Sequence, residues 1–163
     1  MRIAIYPGTF DPITAGHLDI IKRSMGLVDK LYVAIAEDSA KKVLFSMEER
    51  IAMIEQELQD NCIANVEVVS FSGLMVNFAK QKNVTISIRG LRVVSDFEYE
   101  YQMACMNRML DENIQTIFLP ASPKLQLVSS NLVKEVVKLG GDIGDFLSNK
   151  VKKKLEEKYS NLI

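Results

Sequence analysis

Residues 1–21 read MRIAIYPGTFDPITAGHLDII, and the stretch from Tyr6 to His17, YPGTFDPITAGH, decides the fold. A short apolar run ends in a turn holding Gly8, Thr9 and two prolines. The chain then enters a helix through Gly16 and His17, its only histidine. A plain strand-to-helix connection takes about two to six residues and one cap. This one is longer, rich in hydroxyls and backbone N–H groups, and carries a group that can be charged.

Outward from it, two periodicities alternate. RIAIY, LYVAIA, VEVVSF, TISIR and TIFLP read as short strands whose continuous apolar character suggests cover on both faces. HLDIIKRSM, FSMEERIAMIEQEL, GLMVNFAKQ, SDFEYEYQMACMNRMLDEN and SSNLVKEVVKLGG read as the helices between and after them. Ser46 with Glu49, and Ser95 with Glu98, have capping-box spacing. Repeated strand–helix units imply an α/β fold: a doubly wound, five-stranded parallel sheet with right-handed crossovers and helices on both faces. No repeat, low-complexity tract or linker interrupts residues 1–163, so they form a single domain, with a C-terminal helical tail from about residue 142.

Composition narrows the function. The chain is 163 residues long, 48% hydrophobic and 25% charged, with a net charge of −1, so no global field draws it to nucleic acid or an anionic membrane. Its longest apolar run, LYVAIA, is too short to span a bilayer. Cys62 and Cys105 have no metal-ligand spacing and read as reduced, packed thiols of a cytoplasmic protein. The helix from Ser95 is apolar nearly all the way round, which calls for burial on every side, in the monomer core or against another subunit.

Ligands of open α/β sheets bind beyond the carboxyl ends of the strands. The segments there, PGTFDPITAGH, EDSAKK, RGLR and PASPKLQLVSSN, hold the small hydroxyl residues, the glycines and most of the interesting cations. MGLVDK and QDNCIAN, at the opposite edge, do not. That segregation points to a phosphate site. Thr14 can cap the first helix, whose free N–H groups then face an anion. His17 could be a donor to phosphate or a cap. Lys41 and Lys42 could be phosphate ligands or solvated charges. Arg89 and Arg92 flank Gly90 after a buried-type strand, where a guanidinium fork suits phosphate oxygens. Ser129 and Ser130 could cap their helix or serve a second phosphate. GxGxxG, the P-loop, the nucleophile elbow and HExxH are all absent. Asp11 and Glu100 are the nearest carboxylates, and nothing pairs them as acid and base. A phosphate pocket without a base suits a nucleophile that is already ionised.

On these residues the chain resembles a known family. Thr14-Ala15-Gly16-His17 is similar to the [HT]xGH core of the nucleotidyltransferase superfamily. With IRGLR, DFEYEYQMACMNR and SSNLVKE, in order from Ile3 to about Phe146, it resembles the bacterial phosphopantetheine adenylyltransferases. The resemblance implies a Rossmann-like nucleotidyltransferase fold and transfer of AMP from ATP to 4′-phosphopantetheine, giving dephospho-coenzyme A and pyrophosphate. It implies catalytic roles for His17, Lys41 and Arg92. It implies ATP contacts from Thr9, Phe10, His17, Gly90, Leu91, Arg92, Glu100, Leu125, Gln126, Leu127, Val128, Ser129, Ser130 and Asn131. It assigns the second substrate to Thr9, Lys41, Met75 and Arg89. Mg²⁺ is implied as cofactor, held mainly by ATP phosphates rather than protein ligands, and the assembly as a homohexamer. Two positions depart from the pattern: Asn131 stands where the family commonly has a third serine, and Leu125 where it often has an aromatic residue. The rival readings are another small-molecule nucleotidyltransferase of the superfamily and a non-catalytic nucleotide-binding oligomer.

Overall fold

The computed structural model describes residues 1–37 and 42–161. In chain order they form β1 (Ile3–Gly8), α1 (Ala15–Ser24), β2 (Lys30–Ala36), α2 (Met47–Asp60), β3 (Val66–Phe71), α3 (Met75–Gln81), β4 (Ile86–Leu91), α4 (Val94–Leu110), β5 (Gln115–Pro120), α5 (Ser130–Lys138) and α6 (Asn149–Ser160). The five strands are all parallel, in the order β3-β2-β1-β4-β5.

Handedness settles where the helices go. From β1 the chain steps to β2 and β3 in one direction, then returns past β1 to β4 and β5. Right-handed crossovers made in opposite directions fall on opposite faces. Ile20 and Ile21 of α1 and Met53, Ile54 and Leu58 of α2 accordingly share one buried cluster with Leu31, Val33 and Ile35. Val133 and Val137 of α5 and Val151 and Leu155 of α6 complete that layer. Val76, Phe78 and Ala79 of α3 pack on the other face, against Ile5, Tyr32 and Ala34. Alternate residues of β2 thus feed the two clusters, as the period of a strand requires.

The pairing of β1 is lopsided. It runs beside β2 from Ile3 to Gly8, but meets β4 only at Ala4↔Ile86 and Ile5↔Ser87. Beyond that point β4 stays with β5 as far as Leu91, and a crevice opens between β1 and β4. It lies where the strand order reverses, the usual binding position in doubly wound sheets.

Local expectations meet different fates. Thr14 caps α1, and Ser46 with Glu49 forms the capping box of α2. Ser95 does not cap α4: the N-cap is Val93, with no side-chain bond, because Asp96 reaches back instead to the Arg92 backbone N–H at 3.2 Å. Nor is α4 buried on every side. None of its residues is buried, and Tyr99 and Met109 are 62% and 82% exposed. Only its inner side meets the sheet, where Phe97 lies edge-on to Phe118 at 5.8 Å. Burial inside the monomer is therefore excluded for this helix. Cys62 and Cys105 are free, and exposed rather than packed. Of the tail lysines, Lys150 pairs with Asp60 and Lys158 with Glu49 of α2, while Lys152 pairs with Asp142 and Lys153 with Glu157 inside the tail. Among the described residues no helix is long and apolar enough to cross a membrane.

Candidate active site

The crevice holds a cavity of about 350 Å³. Its floor is the turn after β1. There Phe10 has φ +49°, a left-handed conformation uncommon for a bulky residue, and is nevertheless 1% exposed. Packing overrides the local cost. The ring lies edge-on to Tyr6 at 5.4 Å and 4.9 Å from His17. Gly8 makes room for it, since a Cβ there would sit 2.8 Å from the ring. Gly90 plays the same part across the crevice, where a Cβ would come within 3.1 Å of Ile20 in α1. The Thr9 carbonyl accepts a 2.9 Å bond from Arg50, a buried guanidinium of α2.

His17 is fixed by the cap it belongs to. The Thr14 backbone N–H donates to His17 Nδ1 at 3.1 Å, and the Thr14 hydroxyl lies 2.9 Å from the same nitrogen. In return Thr14 Oγ1 accepts the His17 backbone N–H at 3.4 Å. A nitrogen that accepts a backbone N–H has no proton, so the neutral ring carries its hydrogen on Nε2. Burial, and then the charges of Arg92 and Arg89, lower the His17 pKa to about 4. At neutral pH this histidine is an uncharged donor beside the cavity.

The cations come from separate segments, and three have a carboxylate behind them. Arg89 Nε and Nη2 donate to the two oxygens of Glu100 at 2.6 Å each, and Nη1 donates to the Pro7 carbonyl at 2.5 Å. That last bond spans the strands where their ladder has stopped. Burial disfavours the Arg89 charge, but the hydrogen bonds and charge of Glu100 outweigh it, so its pKa is raised. Arg92 donates through Nε to Asp96 at 3.0 Å and leans on the Val128 carbonyl at 3.4 Å. Lys134 of α5 pairs with buried Asp11 at 2.7 Å. Lys42 lines the cavity as well. The N-termini of α1 and α5 both face it, through Thr14 and Gly16 on one side and Ser129, Ser130 and Asn131 on the other. Ser129 Oγ caps α5 by accepting the Leu132 N–H at 3.1 Å, and Ser130 Oγ donates to Pro12 at 2.8 Å. These serines leave mainly backbone N–H groups for an anion.

Of the residues singled out in the sequence, the cavity wall gathers Thr9, Phe10, His17, Arg89, Gly90, Arg92, Leu125, Val128, Ser129, Ser130 and Asn131. Leu91, Met75, Gln126 and Leu127 are not on it, and Glu100 stands behind Arg89. Met75 starts α3 and packs on the far face of the sheet. Lys41 lies outside the described residues. Sequence reading missed Lys134 and Tyr6, both on the wall, and the use made of Asp11. Lys134 sits one helical turn past Ser130, and that spacing was the available signal. Nothing local in the sequence announces a pairing 123 residues apart.

This arrangement can hold polyanions, orient them with fixed donors, and spread charge from a transferring phosphoryl group. Residues 5–136 match the family model described as cytidylyltransferase-like. The chain is similar to a phosphopantetheine adenylyltransferase of Caldanaerobacter subterraneus, 51% identical over 159 residues, covering 98% of each chain. It is also similar to one from Desulfosudis oleivorans, at 49% identity over 163 residues, 100% of this chain and 96% of that one. A solved structure described as a nicotinate-nucleotide adenylyltransferase from Vibrio parahaemolyticus superposes with a TM-score of 0.68 at 16% identity, over 95% of this chain and 99% of that one. A bifunctional NMN adenylyltransferase/ADP ribose pyrophosphatase from Francisella tularensis gives 0.66 at 18% identity, over 99% of this chain and 51% of that one. Likenesses so distant in sequence establish the shared architecture.

Proposed function

The chain belongs to the phosphopantetheine adenylyltransferase family, and from that premise we propose how its cavity joins AMP from ATP to 4′-phosphopantetheine, releasing pyrophosphate. The observation that carries the reading is the convergence of His17, Arg89, Arg92, Lys134 and two helix N-termini on one cavity of about 350 Å³.

The chemistry needs no base. A phosphate monoester has a second pKa near 6, so the nucleophile is mostly a dianion at pH 7. Its oxygen attacks the α-phosphorus, the bond to the pyrophosphate oxygen breaks, and the electron pair leaves with pyrophosphate. The obstacle is bringing two polyanions together and stabilising the charge that spreads over the transferring group. His17 offers Nε2–H without protonation, a donor that stays the same across neutral pH. Arg92 and the N-terminus of α5, with the segment from Leu125 to Asn131, hold the triphosphate. Thr9, Phe10 and Gly90 seat the nucleotide. Arg89, held by Glu100, takes the phosphate of the second substrate, together with Thr9. Lys41 steadies the reacting phosphoryl group. Leu125 supplies apolar contact in place of ring stacking, and Asn131 supplies an amide in place of a hydroxyl.

Mg²⁺ enters with the nucleotide as part of the substrate. Among the described residues no group of three or more His, Cys, Asp or Glu side chains could hold a metal ion. The one carboxylate on the described wall, Asp11, already serves Lys134 and two backbone N–H groups.

Self-association is part of the same proposal. The outer face of α4 leaves Tyr99, Tyr101, Met106 and Met109 more than half exposed, and covering that face with further copies, up to a hexamer, would remove them from water. Location in the cytoplasm follows from the availability of ATP and of phosphorylated substrate.

The test is direct. Purified protein with ATP, Mg²⁺ and 4′-phosphopantetheine is expected to yield dephospho-coenzyme A and pyrophosphate in equal amounts by mass spectrometry. Pyrophosphate release with nicotinate mononucleotide but not with phosphopantetheine would move the chain to another substrate. ATP binding by calorimetry without turnover on any acceptor would make it a binding protein.

A further inference from the structure

Asp11 is 3% exposed, yet it touches two segments that are distant from it in sequence. It belongs to the turn between β1 and α1. Its Oδ1 accepts the Phe45 N–H at 2.9 Å, both oxygens accept the Leu44 N–H at 3.0 and 3.1 Å, and Oδ2 takes Lys134 Nζ at 2.7 Å. Leu44 and Phe45 immediately follow Lys42 and Val43, which line the cavity. Phe45 is itself anchored in the core at 2% exposure, and the capping box at Ser46 starts α2 one residue later.

A carboxylate with this set of partners is poorly suited to proton transfer, since its lone pairs are occupied by three donors. It is well suited to fixing position. We propose that Asp11 is a positioning residue for the transfer reaction: its carboxylate clamps the chain just after Lys42 and holds Lys134, so that cations from two segments keep a fixed place relative to the turn carrying Thr9 and Phe10. The proposal rests on the adenylyl-transfer reading only for its kinetic consequence. Misplacing reacting groups by about 1 Å costs about a hundredfold in rate, and the loss falls on kcat, because substrate anions still find the same charges.

Two readouts separate the outcomes. The first needs no activity. Amide hydrogen exchange at Leu44 and Phe45 is expected to speed up at least about tenfold in Asp11→Ala, with Ile5 and Val33 of the core unchanged. Asp11→Asn is expected to recover most of that protection, because its amide oxygen still accepts. Unchanged exchange at both amides in Asp11→Ala overturns the clamp. The second is steady-state kinetics at a temperature where each variant is fully folded. Asp11→Ala is expected to lower kcat about 10- to 100-fold, with KM for either substrate moving less than about threefold, and Asp11→Asn is expected to lie between it and wild type. A folded Asp11→Ala protein with wild-type kcat gives Asp11 a structural role only and ends the proposal. If Asp11→Ala does not fold, Asp11→Ala/Lys134→Met removes the stranded cation and is compared with Lys134→Met alone. Wild-type turnover measured alongside tests the adenylyl-transfer reading by itself, and the exchange result stands whichever way that falls.

Discussion

Along the cavity wall, side chains are held by groups far away in the chain: Arg50 on Thr9 across 41 residues, Arg89 on Pro7 across 82, Lys134 on Asp11 across 123. On the outer face of α4, Tyr99, Met106 and Met109 stand in solvent. One helix borders both regions. Its inner side presents Asp96 and Glu100, one turn apart, to Arg92 and Arg89, while its outer side presents thioethers and rings. Polar groups were placed where position matters, and adaptable apolar groups where only cover is needed. Methionine fits the second task because its flexible chain repacks readily.

The sharpest way to break that contrast is at the wall. His17→Ala is expected to lower kcat about a hundred- to thousandfold, the usual result of deleting one donor to a developing charge. Its stability loss is expected to stay near 1 kcal/mol, from the broken cap at Thr14. Steady-state rates beside urea melts check both, and a rate near wild type would remove His17 from the mechanism. Next comes Arg89→Ala, expected to raise KM for phosphopantetheine about 10- to 100-fold with a smaller change in kcat. An unchanged KM would assign that phosphate to another cation.

A third prediction follows from the lowered His17 pKa. The folded protein keeps the ring neutral down to about pH 4, whereas the unfolded chain protonates it below its ordinary 6.5. Between those values the unfolded state binds more protons, so stability rises with pH through that window and is level above it. The His17 contribution is up to about 1.4 kcal/mol per pH unit. Urea melts at pH 4.5, 5.5 and 6.5 are expected to show a steeper trend in wild type than in His17→Gln, and parallel trends would contradict the lowered His17 pKa. The smallest effect on folding belongs to the outer face. Met106→Glu is expected to change the stability of the separate chain by less than about 0.5 kcal/mol, yet to lower the mass seen by analytical ultracentrifugation. A variant that keeps the wild-type mass would place the contact elsewhere.

The same contrast marks what could be read from sequence. Strand and helix periods announced the sheet, because buried strands such as LYVAIA carry their signal within a few residues. The cavity residues after β1, after β4 and before α5 were legible because strand ends converge in this topology whatever the side chains do. What stayed hidden was relational. The partners of Asp11 could not be read, because they lie on α5 and in the segment just before α2. Ser95 had the spacing of a cap, but Asp96 reached the backbone N–H of Arg92 instead. The all-round apolar α4 was read as requiring burial, and the single chain leaves it open, because composition records how much cover a helix needs and not which molecule provides it.

The crevice itself comes from two strands that pair for two residues and then part. A socket carved by side chains vanishes when they are exchanged, whereas a gap left by parting backbones outlives its lining. Such a scaffold keeps its frame when the residues lining it change. That is one physical reason why molecules with 16% and 18% of their residues in common with this one still superpose on it.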